Sequence, residues 1–520
     1  MPTVELALQG KSAGVFIESV NGKSSGTTRM RIRGSSSIGA SNQPLFVVDG
    51  IPLTTEALNY SGGDINPLTS INFNDIESVE ILKDAASAAI YGSRGANGVV
   101  LITTKKGVEG DTRLNFNFQV GVSEESNRRE FLNTAQYIEL FEEAAYNSDL
   151  LEGYDPINNP GDYPGSWLEY TRGRFTRYSG YSDWTIQQTE TDWQDQIFRK
   201  GKLLSTDLSA QGGNDKLKYF ASAAYTKQEG ILRPNDIEKI SARLNVDNKV
   251  NKFTDFGFAL SLNRTFINNV SDDNAFSTPM QLVAMAPITP VRDLDGNLYD
   301  RPVTTYYNGL IDFEDTKREV VEYRTVANSY LNFQLYEGLK LRNEVGFDLY
   351  NLKENARYGE KTDAGQGING YGFGNYAQTQ NIATKSYLDY MRNTDAISIS
   401  AVLGTEFMYT TVDLLRAEGE QFPLDDLKTL ASAGLITSAT STLTQYSFLS
   451  YFSRVNLDYE SKYLFSLAGR IDGSSRFGAN NRYGFFPAAS AGWVLSKEDF
   501  LVDNTLLSYL KLRASYWSDR

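Results

Sequence analysis

The sequence predicts an all-β transmembrane β-barrel preceded by a small N-terminal α+β domain. Three observations carry this. No apolar run of about 18 residues exists that could cross a bilayer as a helix, yet period-two alternation recurs from residue 112 to the end. The connections between alternating segments switch between short and long. The first hundred residues have a different, compact texture.

Composition agrees. The 520 residues include 31 Tyr, 28 Phe and 43 Gly, with 12% aromatic residues, and the mean hydropathy is −0.38. A barrel strand presents alternate residues to lipid and lumen, so a polar average does not argue against a membrane. There is no Cys and no His, which removes disulfides, thiolate sites, His-ligated zinc and Ser-His-Asp chemistry. No cofactor or metal and no enzymatic activity is expected. The net charge of −14 disfavours nucleic acid, which demands basic patches. Lys105 and Lys106 read as a solvated strand end.

Within the N-terminal part, strands are expected at Thr28 to Arg33, Leu45 to Val48, Ile76 to Leu82 and Val99 to Thr104, with a short helix from Asp84 to Tyr91. Glycines 92, 95 and 98 imply tight turns. They follow a helix and lead into a strand, the wrong order for a phosphate-cradling loop.

The barrel part opens with Leu114, Phe116, Phe118, Val120 and Val122 on one face and Asn115, Asn117 and Gln119 on the other. Thirteen strands are expected, near 112–122, 203–211, 216–228, 238–250, 254–267, 320–336, 339–350, 384–391, 396–411, 447–459, 463–471, 483–496 and 505–517. Short turns such as Gly212 to Asp215 and Glu337 to Gly338 alternate with long loops at 123–202, 268–319, 351–383 and 412–446. Outer-membrane barrels pair short periplasmic turns with long external loops. Thirteen is odd, whereas single-chain bacterial barrels close with an even number. The chain is therefore expected to stop in mid-barrel and not to fold alone. Met1 to Gly10 lack a secretory pattern, so an exported protein is expected to begin upstream.

The run from Val79 to Val100, which includes Lys83-Asp84-Ala85-Ala86-Ser87-Ala88-Ala89-Ile90-Tyr91-Gly92-Ser93-Arg94-Gly95-Ala96-Asn97-Gly98, resembles the plug signature of SusC/RagA-like TonB-dependent transporters. Ala7 to Lys11 with Ala13-Gly14-Val15, Arg31-Ile32-Arg33-Gly34, Pro44 to Gly50, Gly469 to Gly478 and Phe485 to Ala488 agree with it. The resemblance implies a plug, residues 1–110, inside the lumen of a 22-stranded barrel, of which residues 111–520 supply the N-terminal part, truncated at about 13 strands. It also implies the outer membrane of a diderm bacterium and a SusD-like surface lipoprotein as lid. Energy would come from TonB-ExbB-ExbD through an N-terminal segment missing here. The cargo would be an oligosaccharide foremost, with an oligopeptide as the other choice.

Related plugs lock to the wall through Arg-Gly arginines and barrel glutamates. By that resemblance Arg31 and Arg33 would be the plug half, with Glu344 and Glu406 as partners, since a guanidinium fork binds carboxylate bidentately. The loop 123–202 is rich in aromatic residues, among them Tyr163, Trp167, Tyr181 and Trp184, whose faces suit sugar rings or the lid. Two rivals stay open: a passive porin, and a secreted glycosidase working with paired carboxylates.

Overall fold

A computed structural model describes the chain except residues 1–3, 20–22, 25, 35–41, 61–64, 84–88, 160–164, 182, 271–279, 300–307, 502–506 and 518–520. The N-terminal part begins with the helix Val4–Leu8 and a ribbon of β1 (Val15–Ser19) and β2 (Thr28–Ile32), paired antiparallel with Phe16 opposite Arg31. A four-stranded sheet follows, made from β3 (Leu45–Val48), β4 (Ile51–Pro52), β5 (Ile76–Leu82) and β6 (Val99–Thr104). Its order is β4-β3-β6-β5, with β3 and β6 parallel. Apolar alternation in these strands fills one core of Ile17, Met30, Ile32, Phe46, Val48, Val100 and Ile102. The expected helix from Asp84 falls mostly outside the described residues; Ala89–Gly95 forms 3-10 turns instead.

The remainder is one antiparallel sheet of 13 strands in which each strand pairs with its sequence neighbours. They are β7 (Gly110–Ser123), β8 (Gly201–Gly213), β9 (Leu217–Glu229), β10 (Asp236–Asn251), β11 (Thr254–Asn268), β12 (Thr316–Tyr336), β13 (Leu339–Tyr358), β14 (Tyr371–Asn393), β15 (Ile397–Glu420), β16 (Leu435–Tyr459), β17 (Tyr463–Ser474), β18 (Tyr483–Val494) and β19 (Lys511–Trp517). All thirteen expected strands are present. Those from β13 to β16 run far beyond their expected outer ends, and the expected loops 351–383 and 412–446 shrink accordingly. About 9–11 residues span a bilayer; past that point both faces meet water and the greasy-wet alternation that marks a strand disappears.

The turns between β12 and β13 and between β16 and β17 are tight, with positive φ at Gly338, Glu460 and Ser461. The connection 495–510 on the same side is longer than these turns, and longer than the gap expected between 496 and 505. The outward face of the sheet is apolar and exposed, with Leu114 75% and Leu467 65% accessible, as lipid contact requires. Its inward face buries polar residues, including Arg243, Asn245, Arg324, Asp348, Asn381, Glu406, Arg470 and Asp472. These side chains meet the N-terminal part, which sits against the concave wall.

The expected loop 123–202 carries three helices, at Thr134–Leu151, Trp167–Ser179 and Trp193–Ile197. Buried Asp149 accepts from the N–H groups of Trp167 (2.7 Å) and Leu168 (2.9 Å), tying the first helix to the orphan donors of the second. Few positions of these helices are buried, so their apolar stripe is faint in sequence.

Candidate functional site: the plug and wall contact

Two motifs singled out in the sequence meet in space. The 3-10 turns at Ala89–Gly95 present Ser93 and Arg94 to β15 and β17. Arg94 Nη2 donates to Glu406 Oε1 at 2.7 Å, and Arg470 Nη2 donates to Glu406 Oε2 at 2.9 Å, so one carboxylate is shared by a plug and a wall guanidinium. Arg470 Nε donates to Asp472 Oδ1 at 2.5 Å and Nη1 to the Ile90 carbonyl at 2.6 Å. Asp472 Oδ2 accepts from the Ser93 N–H at 3.0 Å. Glu406 and Arg470 are only 5% and 2% exposed, so every charge here is neutralised within the cluster, as burial demands. Beside it, burial pushes the Tyr91 phenol up to about 12, and the Glu406 carboxylate adds to this.

Gly92 makes the approach geometrically feasible. Its φ is 56° and ψ −139°, a region that side chains avoid, and a Cβ there would overlap the Asp472 carboxylate and lie 2.9 Å from Arg470 Nε. Gly92→Ala is therefore expected to weaken docking by about 1–3 kcal/mol, read as a lower denaturant midpoint for plug release in the full-length protein. An unchanged midpoint would show that the turn is free to relax.

Further contacts surround this cluster. Arg243 Nη2 donates to Asp49 Oδ2 at 2.5 Å, and Asp49 also accepts from the Thr104 hydroxyl at 2.7 Å. Arg324 and Asp348 form a bidentate pair at 2.9 and 2.7 Å. The same guanidinium donates to the carbonyls of Pro67 and Thr54, both at 3.1 Å. Asn328, Asn375 and Asn381 donate to the carbonyls of Asp49, Leu58 and Pro52. Ser222 donates to Asp75 at 2.6 Å, and burial nevertheless holds that carboxyl above its ordinary value. At Gly346 the missing side chain admits Ile51 of the plug; a Cβ would stand 2.7 Å from it.

Glu406 is thus at the plug contact, but its expected partners are not. Arg31 is held in the β1–β2 ribbon opposite Phe16, and Arg33 leaves that ribbon with φ 58° and an exposed side chain. Neither reaches Glu406 or Glu344. Glu344 pairs within the wall, with Arg342 Nε at 2.5 Å and the Tyr387 hydroxyl at 3.3 Å. It lines a cavity of about 270 Å³ beside Asp49 and Gly50. The sequence contains Arg-Gly three times, at 33–34, 94–95 and, within the helix Trp167–Ser179, 172–173. The second follows Gly92 in a turn, where a guanidinium can swing to the wall, and that signal identifies Arg94.

Of the loop aromatics, Trp184 packs edge-on to Phe175 at 5.1 Å in a cluster with Ile138, Tyr178 and Ile288. It is half-buried and helps to build the loop. Tyr181 is half-buried, with its N–H donating to Ser179 Oγ. Trp167 is 49% exposed and T-shaped against exposed Tyr170 at 6.2 Å. Tyr163 lies outside the described residues.

Residues 2–99 match the TonB-dependent Receptor Plug Domain family. Over 531 residues the chain is 30% identical to TonB-dependent receptor P3 of Formosa agariphila, covering 99% of this chain and 48% of that protein. It is 28% identical over 554 residues to TonB-dependent receptor SusC of Bacteroides thetaiotaomicron, covering 98% and 49%. The chain spans about half the length of the curated relatives it matches. In fold it is similar to the RagAB peptide transporter, with a TM-score of 0.82 at 23% identity over 99% of this chain and 58% of that one. These relatives are receptors and transporters, not enzymes. Residues 2–99 thus match a plug domain, and in sequence and fold the chain is similar to SusC/RagA-like TonB-dependent transporters, its N-terminal part docked to a thirteen-stranded antiparallel sheet.

Proposed function

We propose that the protein imports a nutrient, an oligosaccharide or an oligopeptide, across the outer membrane of a diderm bacterium by TonB-dependent opening of its plug. On this reading residues 1–110 are the plug, and residues 111–520 belong to the barrel that encloses it. The shared Glu406 carboxylate carries the argument: a plug pinned by a buried ion cluster does not leave the lumen thermally, so opening requires work. TonB-ExbB-ExbD would supply that work. A SusD-like surface lipoprotein would close over the outer loops, where Trp167 and Tyr170 offer an exposed aromatic face.

The test is uptake of labelled malto-oligosaccharides and of labelled oligopeptides by cells carrying the full-length gene, with and without TonB. Uptake is expected only with TonB. Equal uptake without it would indicate a passive porin, and glycan hydrolysis by the purified protein would indicate a glycosidase.

A further inference from the structure

β16 is 25 residues long, but β17 pairs with it only from Phe448 to Tyr459. Its outer stretch, Leu435 to Tyr446, is hydrogen-bonded to β15 on one side alone. Just below this stretch Ser447 faces the β17 side: its carbonyl accepts from the Ser475 N–H at 3.0 Å, and its own N–H donates to the Ser475 hydroxyl at 2.9 Å. Backbone direction alternates along a strand, so the N–H and C=O groups of Ala439, Ser441, Leu443 and Gln445 face the same open side. Among the described residues no backbone partner meets them.

Such an edge is a template for another strand, and soluble and membrane proteins alike blunt it with charge, proline or bulges. Here the run Leu435-Ile436-Thr437-Ser438-Ala439-Thr440-Ser441-Thr442-Leu443-Thr444-Gln445-Tyr446-Ser447 contains no charged residue and no proline. Its one register shift lies at the far end, opposite Glu418 and Gly419. The lower, fully paired part of β16 matches the 12 residues of β17, which suffice to cross a bilayer; the open ladder therefore stands above the membrane.

We infer that this open edge of β16 binds the backbone of an oligopeptide cargo as an added β-strand. The inference rests on the transport reading above and names its substrate class. Two observations favour a cargo peptide. At the foot of the ladder the Arg476 guanidinium lies 3.8 Å over the Tyr446 ring and has no carboxylate partner among the described residues, so it is available to a carboxylate of the peptide. One step further in, Phe448 lies under Arg94, 5.7 Å from its ring centroid. A strand seated on the edge therefore ends beside the plug contact. A sugar chain has no N–H and C=O ladder to match these groups, whereas strand addition supplies it residue by residue.

The experiment is hydrogen exchange at 439–445 in the full-length protein, alone, with a casein digest, with malto-oligosaccharides and with its surface lipoprotein. We expect exchange to slow about tenfold with the digest alone. Ser441→Pro, which removes one open-edge N–H, should cost about fivefold in peptide affinity, while Ser441→Ala should cost nothing. The wild-type exchange pattern decides the question even where the proline variant misfolds. Protection in the protein alone would mean that the remainder of its own chain covers the edge, and protection by the lipoprotein without peptide would mean a partner strand; either overturns the inference. TonB-dependent uptake of oligosaccharide with no protection by peptide would overturn it and leave the transport reading standing. Peptide protection without TonB-dependent uptake would support the ladder and remove the transport reading.

Discussion

Replacing Glu406 by alanine in the full-length protein is expected to loosen the plug by about 3–5 kcal/mol, the usual cost of leaving a buried ion unpaired. The carboxylate stands between Arg94 and Arg470 at 2.7 and 2.9 Å. Without it two guanidinium groups face each other across a dry contact, and only Asp472 remains to compensate. Denaturant titration with a fluorophore on the plug should show release well before the barrel unfolds. Arg94→Ala should cost less, because Glu406 keeps Arg470. A release midpoint for Glu406→Ala equal to wild type would mean that the cluster does not hold the plug.

Asp348→Ala is expected to be comparably severe, also about 3–5 kcal/mol, but to act on a different part of the plug. Arg324 is 1% exposed and would lose its bidentate partner, while the Thr54 N–H, which donates to Asp348 at 3.2 Å, would lose its acceptor. The paired replacement Arg324→Met with Asp348→Leu separates two effects. It removes both charges together and should restore most of the barrel's thermal stability, since apolar pairs of similar volume often substitute well for buried ions. It should not restore docking, because the carbonyls of Thr54 and Pro67 then have no donor. Recovery of both properties would show that Arg324 serves the wall alone.

The barrel was legible wherever its strands cross lipid, because one-sided burial writes a period of two into β7, β10 or β13. The outer halves of β14 to β16 were not, since water bathes both their faces and a Thr-Ser-Ala-Thr-Ser-Thr run carries no periodic contrast. The plug strands β3, β5 and β6 were readable from short apolar runs closed by turn residues such as Asp49-Gly50. The helices in 123–202 stayed hidden behind a composition of Gly, Pro and aromatics that suggests irregular loop. At the plug contact, Glu406 could be placed from its strand parity. Its partners could not: pairing a strand glutamate with a particular arginine requires the register between two domains, and no local pattern encodes that. Both halves of the true cluster nevertheless sat in the two motifs that the sequence singled out, around Arg94 and around Arg470 with Asp472.

Many of the wall's donors are aimed at plug carbonyls: those of Asp49, Pro52, Thr54, Leu58, Pro67, Ile90 and Lys105. A carbonyl is the same whatever side chain its residue carries. Mutational drift along these plug segments therefore leaves most of the seating untouched as long as the backbone path is kept, and the identity of the plug is checked chiefly at Ser93, Arg94, Asp49 and Asp75. Walls that diverge in their outer loops can in this way keep the same N-terminal part seated.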